Sequence, residues 1–390
     1  MARLRILVLL STMVVVGIIG AITILYARGY RLQSGEENIT LGPTGLLVVN
    51  SDPIAAQVFI DGQLRTATDN SVSLTPGTYE LEVAKEGYLA WEKTITIERE
   101  AVTQVDAFLV SNAPSLTALT FSGAINPIVS EDFSKIAYTV PSAEDNIERA
   151  GLWIMETVNL PLGFNRDPRR ITDGDLTNAI YEFSPDAREI LLTTQTGVYL
   201  LTISDFTPQV SRINVANQVE TIQEEWQEIR QTRMKAKIAP LPDEIEDILA
   251  SSVSELKFSP DENRILYTAT GSASIPENLI RQLPGSSTQP EERTLAEGTK
   301  YVYDIREDRN FAVATGEELV YWLSNSLNLL IPEVNKLTII DYDGTNRKTV
   351  FSGNYVYPTA YPSTNVSRLL LLTNFGATDS LTNLYWLSLK

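Results

Sequence analysis

Chemistry needs side chains that trade protons, attack as nucleophiles or hold metals, and two of the commonest are missing from this chain. Its 390 residues contain no cysteine and no histidine. Disulfides, thiol nucleophiles, lipids on cysteine, Cys/His zinc sites and every histidine-dependent triad are therefore excluded. Catalysis would have to run on carboxylates, lysine, tyrosine or serine. The 49 acidic residues show no readable pairing, whereas glycoside hydrolysis needs two carboxyl groups at a defined separation. Two acid-bearing patterns stand out. Ser184-Pro185-Asp186 and Ser259-Pro260-Asp261 read as tight turns in which the aspartate is a turn residue. Asp341-Tyr342-Asp343-Gly344-Thr345-Asn346 invites a calcium reading, but its glycine is the fourth residue, where a calcium loop has the sixth, and Ser352 stands where the closing glutamate belongs. It reads as a hairpin turn. No catalytic, metal or cofactor-binding residue is assigned, and the expectation is a protein that is not an enzyme and needs no cofactor.

The charge balance narrows the partners. The formal net charge is −18, and beyond Gln33 the chain carries 27 basic and 49 acidic residues, a net of −22. Phosphate backbones demand basic surface, so nucleic acid is not expected as a partner. Acidity of this size serves solubility. A hydrophobic share of 43% with 21% charged residues is an ordinary globular composition, and the length predicts roughly two or three domains.

The elements that must position any site begin with an anchor. Ile6 to Leu25 is an uncharged run of twenty residues, which as a helix spans about 30 Å, the thickness of a bilayer core. Tyr26 and Tyr30 stand where interfacial aromatics belong. A cleaved signal peptide would have a shorter apolar region and a small-residue cleavage site. Here the run is long, and Ala27-Arg28-Gly29-Tyr30 is basic and aromatic, which favours an uncleaved single-pass anchor. Arg3 and Arg5 precede the helix, and Arg28 and Arg31 follow it with Glu36 and Glu37 close behind. The slight positive excess of the short tail places it in the cytoplasm and the body outside the cell membrane. A body inside the cell would need only a small change in that count. The chain thus divides into a tail and anchor over 1–31 (helix 6–25) and a polar tether over 32–43.

From Gly45 the pattern turns to period two. Runs at 46–50, 57–61, 78–88 and 94–100 are rich in Val, Ile, Tyr and Thr, and between them lie Ser51-Asp52-Pro53, Asp61-Gly62, Thr75-Pro76-Gly77 and Glu86-Gly87. Six or seven short strands make a compact sandwich over 44–110. Asp61 reads as a hairpin turn residue and Tyr88 as a packed ring. These residues resemble the PEGA domain family: Gly45, Ser51, Pro53, Val58, Ile60-Asp61-Gly62, Pro76-Gly77-Thr78-Tyr79 and Gly87-Tyr88 follow its pattern. Ala55-Ala56 departs from the signature Gly-Ala, and TATDNSVSLTPG replaces the usual G-x-T-P. The resemblance implies a surface-exposed accessory β module.

Over 111–390 one phrase recurs. It runs Ser130-Glu131-Asp132-Phe133, then Phe183-Ser184-Pro185-Asp186, then Phe258-Ser259-Pro260-Asp261, with echoes at Trp322-Leu323-Ser324-Asn325 and Tyr361-Pro362-Ser363-Thr364. Each is a strand end, a polar turn and a new strand, followed by a further strand with an aromatic. A unit of about 40 residues is a propeller blade. The phrase resembles the TolB-like and WD40-like propellers, which implies a mainly β chain with a propeller of five blades, or six if 111–125 and the C-terminal strand close another. Two insertions break the period. Over 217–250, Val219, Ile222, Trp226 and Ile229 recur at helical spacing and a second short helix carries Ile245, Ile248 and Leu249. This helical hairpin either packs its apolar stripe on the propeller or docks a partner through Trp226, Ile229 and Ile245. The stretch 271–298, rich in Pro, Ser, Thr and Glu, reads as a mobile surface loop.

Anchored proteins that combine a PEGA-like module with such an interrupted propeller resemble bacterial envelope proteins. The expectation is a membrane-anchored envelope recognition or scaffolding protein that binds a protein or glycan partner. The alternatives are a propeller enzyme using carboxylates on glycans, and an assembly factor or sensor.

Overall fold

The computed structural model describes residues 2–27, 30–34, 39–143, 147–158, 167–281, 287–377 and 380–390. Arg28, Glu36 and Glu37, which enter the charge balance around the helix, lie outside the described residues, as do 282–286 of the second insertion. The chain forms two compact units.

The first unit begins with a helix, α1 (Ala2–Ala27), followed by β1 (Tyr30–Ser34) and β2 (Ile39–Pro43). Leu9, Met13, Val16 and Ile22 of α1 each expose more than half of their surface, an arrangement water opposes and hydrocarbon does not. Where a polar tether is expected over 32–43, the structure forms an antiparallel hairpin, with Leu32 opposite Leu41 and Tyr30 opposite Pro43. The physical reason is alternation: Tyr-Arg-Leu and Ile-Thr-Leu put apolar residues at every second position on each arm.

Seven strands complete this unit: β3 (Gly45–Asp52), β4 (Gln57–Ile60), β5 (Gln63–Ala67), β6 (Asn70–Leu74), β7 (Gly77–Ala84), β8 (Trp91–Ile97) and β9 (Val102–Phe108). One sheet runs β6-β3-β9, with β3 and β9 parallel, and the other β5-β4-β7-β8. Burial alternates along β3 as the period-two pattern requires. Leu47, Val49, Val58, Ile60, Leu81 and Trp91 are among the residues that fill the space between the sheets. Asp61 and Gly62 both take positive φ, 50° and 72°, which is the backbone of a tight hairpin whose twist matches its strands. Asp61 Oδ1 accepts from Glu80 N at 2.9 Å, so its carboxylate serves the turn. Tyr88 packs against the same core. Thr288 and Gln289 also belong to this unit and cover the edge of β8: Gln289 Nε2 donates to Thr94 O at 2.6 Å and Thr96 N to Thr288 Oγ1 at 3.2 Å. An edge so occupied is no template for a foreign strand.

The second unit consists of five antiparallel sheets among the described residues. Blade 1 comprises Ile125–Val129, Lys135–Val140, Gly151–Glu156 and Arg169–Asp173. Blade 2 has three strands, Ile180–Phe183, Glu189–Thr194 and Gly197–Thr202, with a single bridge from Tyr199 to Asn214 where the others have a fourth. Blade 3 comprises Val253–Phe258, Arg264–Ala269, Thr299–Asp304 and Arg309–Thr315, and blade 4 Tyr321–Trp322, Asn328–Glu333, Lys336–Asp341 and Lys348–Ser352. Blade 5 combines Ala360–Pro362, Arg368–Thr373 and Asn383–Ser388 with Ser115–Ala118. The early strand and the C-terminal strand thus close the fifth blade, and they build no sixth. Apolar seams join neighbours, as blade 1 to blade 2 through Leu152, Ile154, Phe183 and Leu192, and blade 5 to blade 1 through Leu372, Leu384, Ile136 and Met155. One blade cannot cover its own faces, so the ring is the core.

Two helices, α2 (Val219–Ile238) and α3 (Asp243–Ser251), stand between blades 2 and 3. Acidic residues open each helix and Lys235 and Lys237 end α2, the order the helix dipole favours. Within the stretch 271–298, read from sequence as a mobile loop, the parts around Ile275 and around 293–295 are fastened to blade 3, whereas Thr288 and Gln289 belong to the first unit. Ile275 and Leu295 are buried in the core of blade 3, and Ile275 N bonds Arg293 O at 2.8 Å. Arg293 Nη1 pairs with Asp308, which is wholly buried, at 3.3 Å, and Tyr303 Oη donates to the same carboxylate at 2.9 Å. Composition marks this segment as a loop, but its fastening depends on partners in blade 3.

Candidate functional site

The repeated phrase forms the turn between the first and second strand of each blade. In blade 1, Ser130 Oγ donates to Asp132 Oδ1 at 2.6 Å, and Lys135 N returns to Ser130 Oγ at 3.0 Å. Blades 2 and 3 repeat it through Ser184 with Asp186 at 2.7 Å and Ser259 with Asp261 at 2.6 Å. In blade 4 Asn325 Oδ1 accepts from Leu327 N at 3.1 Å, and in blade 5 Asn365 Oδ1 accepts from Ser367 N at 2.9 Å. These aspartates are turn residues, as expected. The hairpin at 341–346 is equally closed: Gly344 has φ +81°, and Thr345 and Asn346 bond the Asp341 and Asp343 carboxylates.

The common register makes five positions equivalent. Ile128, Glu182, Lys257, Tyr321 and Tyr361 each lie two residues before the turn position and pair with Ala137, Leu191, Leu266, Leu330 and Leu370. Several of them converge. Tyr321 and Tyr361 meet edge to face at 5.8 Å, Phe133 of the blade 1 turn meets Tyr321 at 6.2 Å, and Lys257 Nζ lies 5.3 Å from the Tyr321 ring. Tyr361 Oη donates to Pro127 O at 3.3 Å. First strands and turns of blades 1, 3, 4 and 5 therefore gather around Tyr321, which marks the axis of the ring. Burial raises the Tyr321 and Tyr361 hydroxyls above their ordinary value, and burial pulls the Lys257 ammonium down. Lys257 nevertheless remains open to water. Its ammonium thus stands at the open side of the aromatic cluster, over the Tyr321 ring.

Helix α2 approaches the same first strands. Arg230 Nε pairs with Glu131 at 2.6 Å, and its Nη2 reaches Glu182 at 3.0 Å and Phe183 O at 3.2 Å. Arg233 donates to Pro185 O at 2.7 Å, and Lys237 pairs with Glu262 at 2.9 Å. The helix thus spans the turns of blades 1, 2 and 3. One guanidinium occupies both Glu131 and Glu182, which directs that pair to positioning the helix. Among the described residues, no group of three Asp or Glu is arranged to hold a metal ion.

The residues singled out from sequence fall into two groups. Ile6 and Leu25 lie within α1, the one described helix long and apolar enough to cross a membrane. Of the three partner-contact candidates, Trp226 and Ile245 are turned inward, at 6% and 2% exposure. Ile245 and Leu249 complete the core of blade 3 beside Tyr267 and Tyr301. Ile229 is 42% exposed. Sequence reasoning missed Lys257, Tyr321 and Tyr361. Their signal was a fixed offset from the repeated phrase, which only the ring converts into proximity.

Comparison with known proteins bears on one unit firmly. Residues 44–112 match the PEGA domain. No curated protein sequence matches the chain. Among solved structures, a putative TolB from Agrobacterium tumefaciens aligns at 11% identity and TM-score 0.22, covering 69% of this chain and 74% of that one. TolB from Acinetobacter baumannii aligns at 14% identity and TM-score 0.20, covering 80% and 60%. An oligogalacturonate lyase in complex with manganese aligns at 9% identity and TM-score 0.23, covering 92% and 67%. Scores this low carry no functional weight.

Proposed function

We propose that this chain is a membrane-anchored recognition or scaffolding protein of the cell envelope, with its body outside the cytoplasm, that binds a protein or glycan partner and performs no catalysis. The carrying observation is the placement of α2. The helix is tied to three blades through Arg230, Arg233 and Lys237 and leaves most of its length, Ile229 included, facing water. A helix held so lightly offers an apolar contact at the centre of a polar surface, the arrangement a partner helix or groove uses. Support for the anchor comes from α1, whose apolar surface is unburied. Support for a recognition role also comes from the PEGA match over 44–112, which adds a second β unit.

A photo-crosslinking amino acid at Ile229 of the full-length chain in cells tests the reading, with the exposed Glu297 position as control. A discrete adduct of one size from position 229, absent from 297, is expected. Identical patterns from both positions, or none from 229, contradict it.

A further inference from the structure

We propose that the axial cluster of the propeller is a binding site for a ligand that carries a carboxylate on a planar or apolar body, with Lys257 as its anchor and Tyr321, Tyr361 and Phe133 as its walls. This inference is independent of any partner on the outer face of α2.

The argument begins with uncompensated charge. One acid, Glu255, stands near enough to act on Lys257, and it is engaged elsewhere. Glu255 pairs with Lys300 and accepts from Thr268 Oγ1 at 2.9 Å. At the equivalent position of blade 2, Glu182 is held by Arg230 at 3.0 Å. Among the described residues Lys257 has no ion pair within 4 Å, and its one polar contact is the face of Tyr321. Its backbone oxygen is fixed by Trp322 Nε1 at 3.2 Å, so the strand that carries it is pinned.

The surroundings raise the cost of leaving that charge alone. Burial depresses the Lys257 pKa, and Lys300 depresses it further while Glu255 opposes at a distance. An anion seated at Nζ would supply the charged acceptor that the ammonium lacks, and a charge-assisted hydrogen bond is stronger than a neutral one. The ammonium offers three donors on a flexible stem, which suits a carboxylate without demanding one approach angle. The rings of Tyr321, Tyr361 and Phe133, set edge to face at 5.8 and 6.2 Å, offer the faces and edges that pack a planar group. A charged head beside an apolar wall thus selects a ligand with both parts.

The test is amine footprinting of the full-length protein in detergent, with benzoate as the probe and benzamide as its uncharged counterpart. Acetylation at Lys257 is read by mass spectrometry against the exposed Lys235, in constant ionic strength. Benzoate at twice its Kd should slow Lys257 about threefold, as simple occupancy requires, and leave Lys235 unchanged. Benzamide should protect neither. Equal protection by benzamide, equal protection by sodium chloride, or no protection by benzoate up to its solubility limit would overturn the site.

Discussion

A serine hydroxyl donating to an aspartate two residues on is the smallest repeated unit of this molecule, and it turns the chain at the same register in blades 1, 2 and 3. Its carboxylates are held low. Burial pushes Asp132 and Asp261 upward, but bonds from Ser130, Ser134, Ser259 and Asn263 outweigh it. For Asp186 the Ser184 hydroxyl is the main cause. A carboxylate depressed in the fold stabilises it above the unfolded value of about 3.9, and that contribution disappears as pH falls through the folded value. The protein should therefore lose thermal stability as pH drops below about 4. Changing Asp132, Asp186 and Asp261 to Asn should flatten that acid limb, and an unchanged slope in Tm against pH would refute the assignment. The phrase was legible in sequence because the bonds are local. Arg230 was legible only as a late base on a helix, since Glu131 and Glu182 lie 99 and 48 residues away.

At the scale of elements, helical spacing revealed α2 and α3 but not their different standing. α2 touches the blades along one stripe, whereas α3 supplies Ile245 and Leu249 to the centre of blade 3. The face that periodicity identifies as apolar says nothing about which surface will cover it. Ile245→Ala should cost about 3 kcal/mol, a fall in Tm on the order of 8 °C. Ile229→Ala should stay within about 0.5 kcal/mol, because its side chain is largely exposed. Similar losses at the two positions in denaturant melts would contradict this division. Removal of 217–250 as a block would strip blade 3 of part of its core, so it cannot serve as a clean test of partner binding. The β1–β2 pairing rests on short alternating runs among polar residues, too brief to stand out, and the fastening of Arg293 depends on Asp308, a partner its composition does not announce.

For the whole molecule, the alternation of strands made the sandwich and the ring readable, while closure of the fifth blade by Ser115–Ala118 required the fold. The recognition role we propose depends on where the two β units face, and that rests on four arginines around α1. The absence of cysteine offers a direct measurement, since any thiol introduced is the only one present. A single cysteine at Glu297 in the full-length chain, treated with a membrane-impermeant maleimide in spheroplasts, reads the side on which the propeller lies. Labelling before lysis, with the chain in the membrane fraction, is the predicted result. Labelling only after lysis, or recovery of the chain without α1 in the soluble fraction, would contradict a membrane-anchored protein that works outside the cytoplasm.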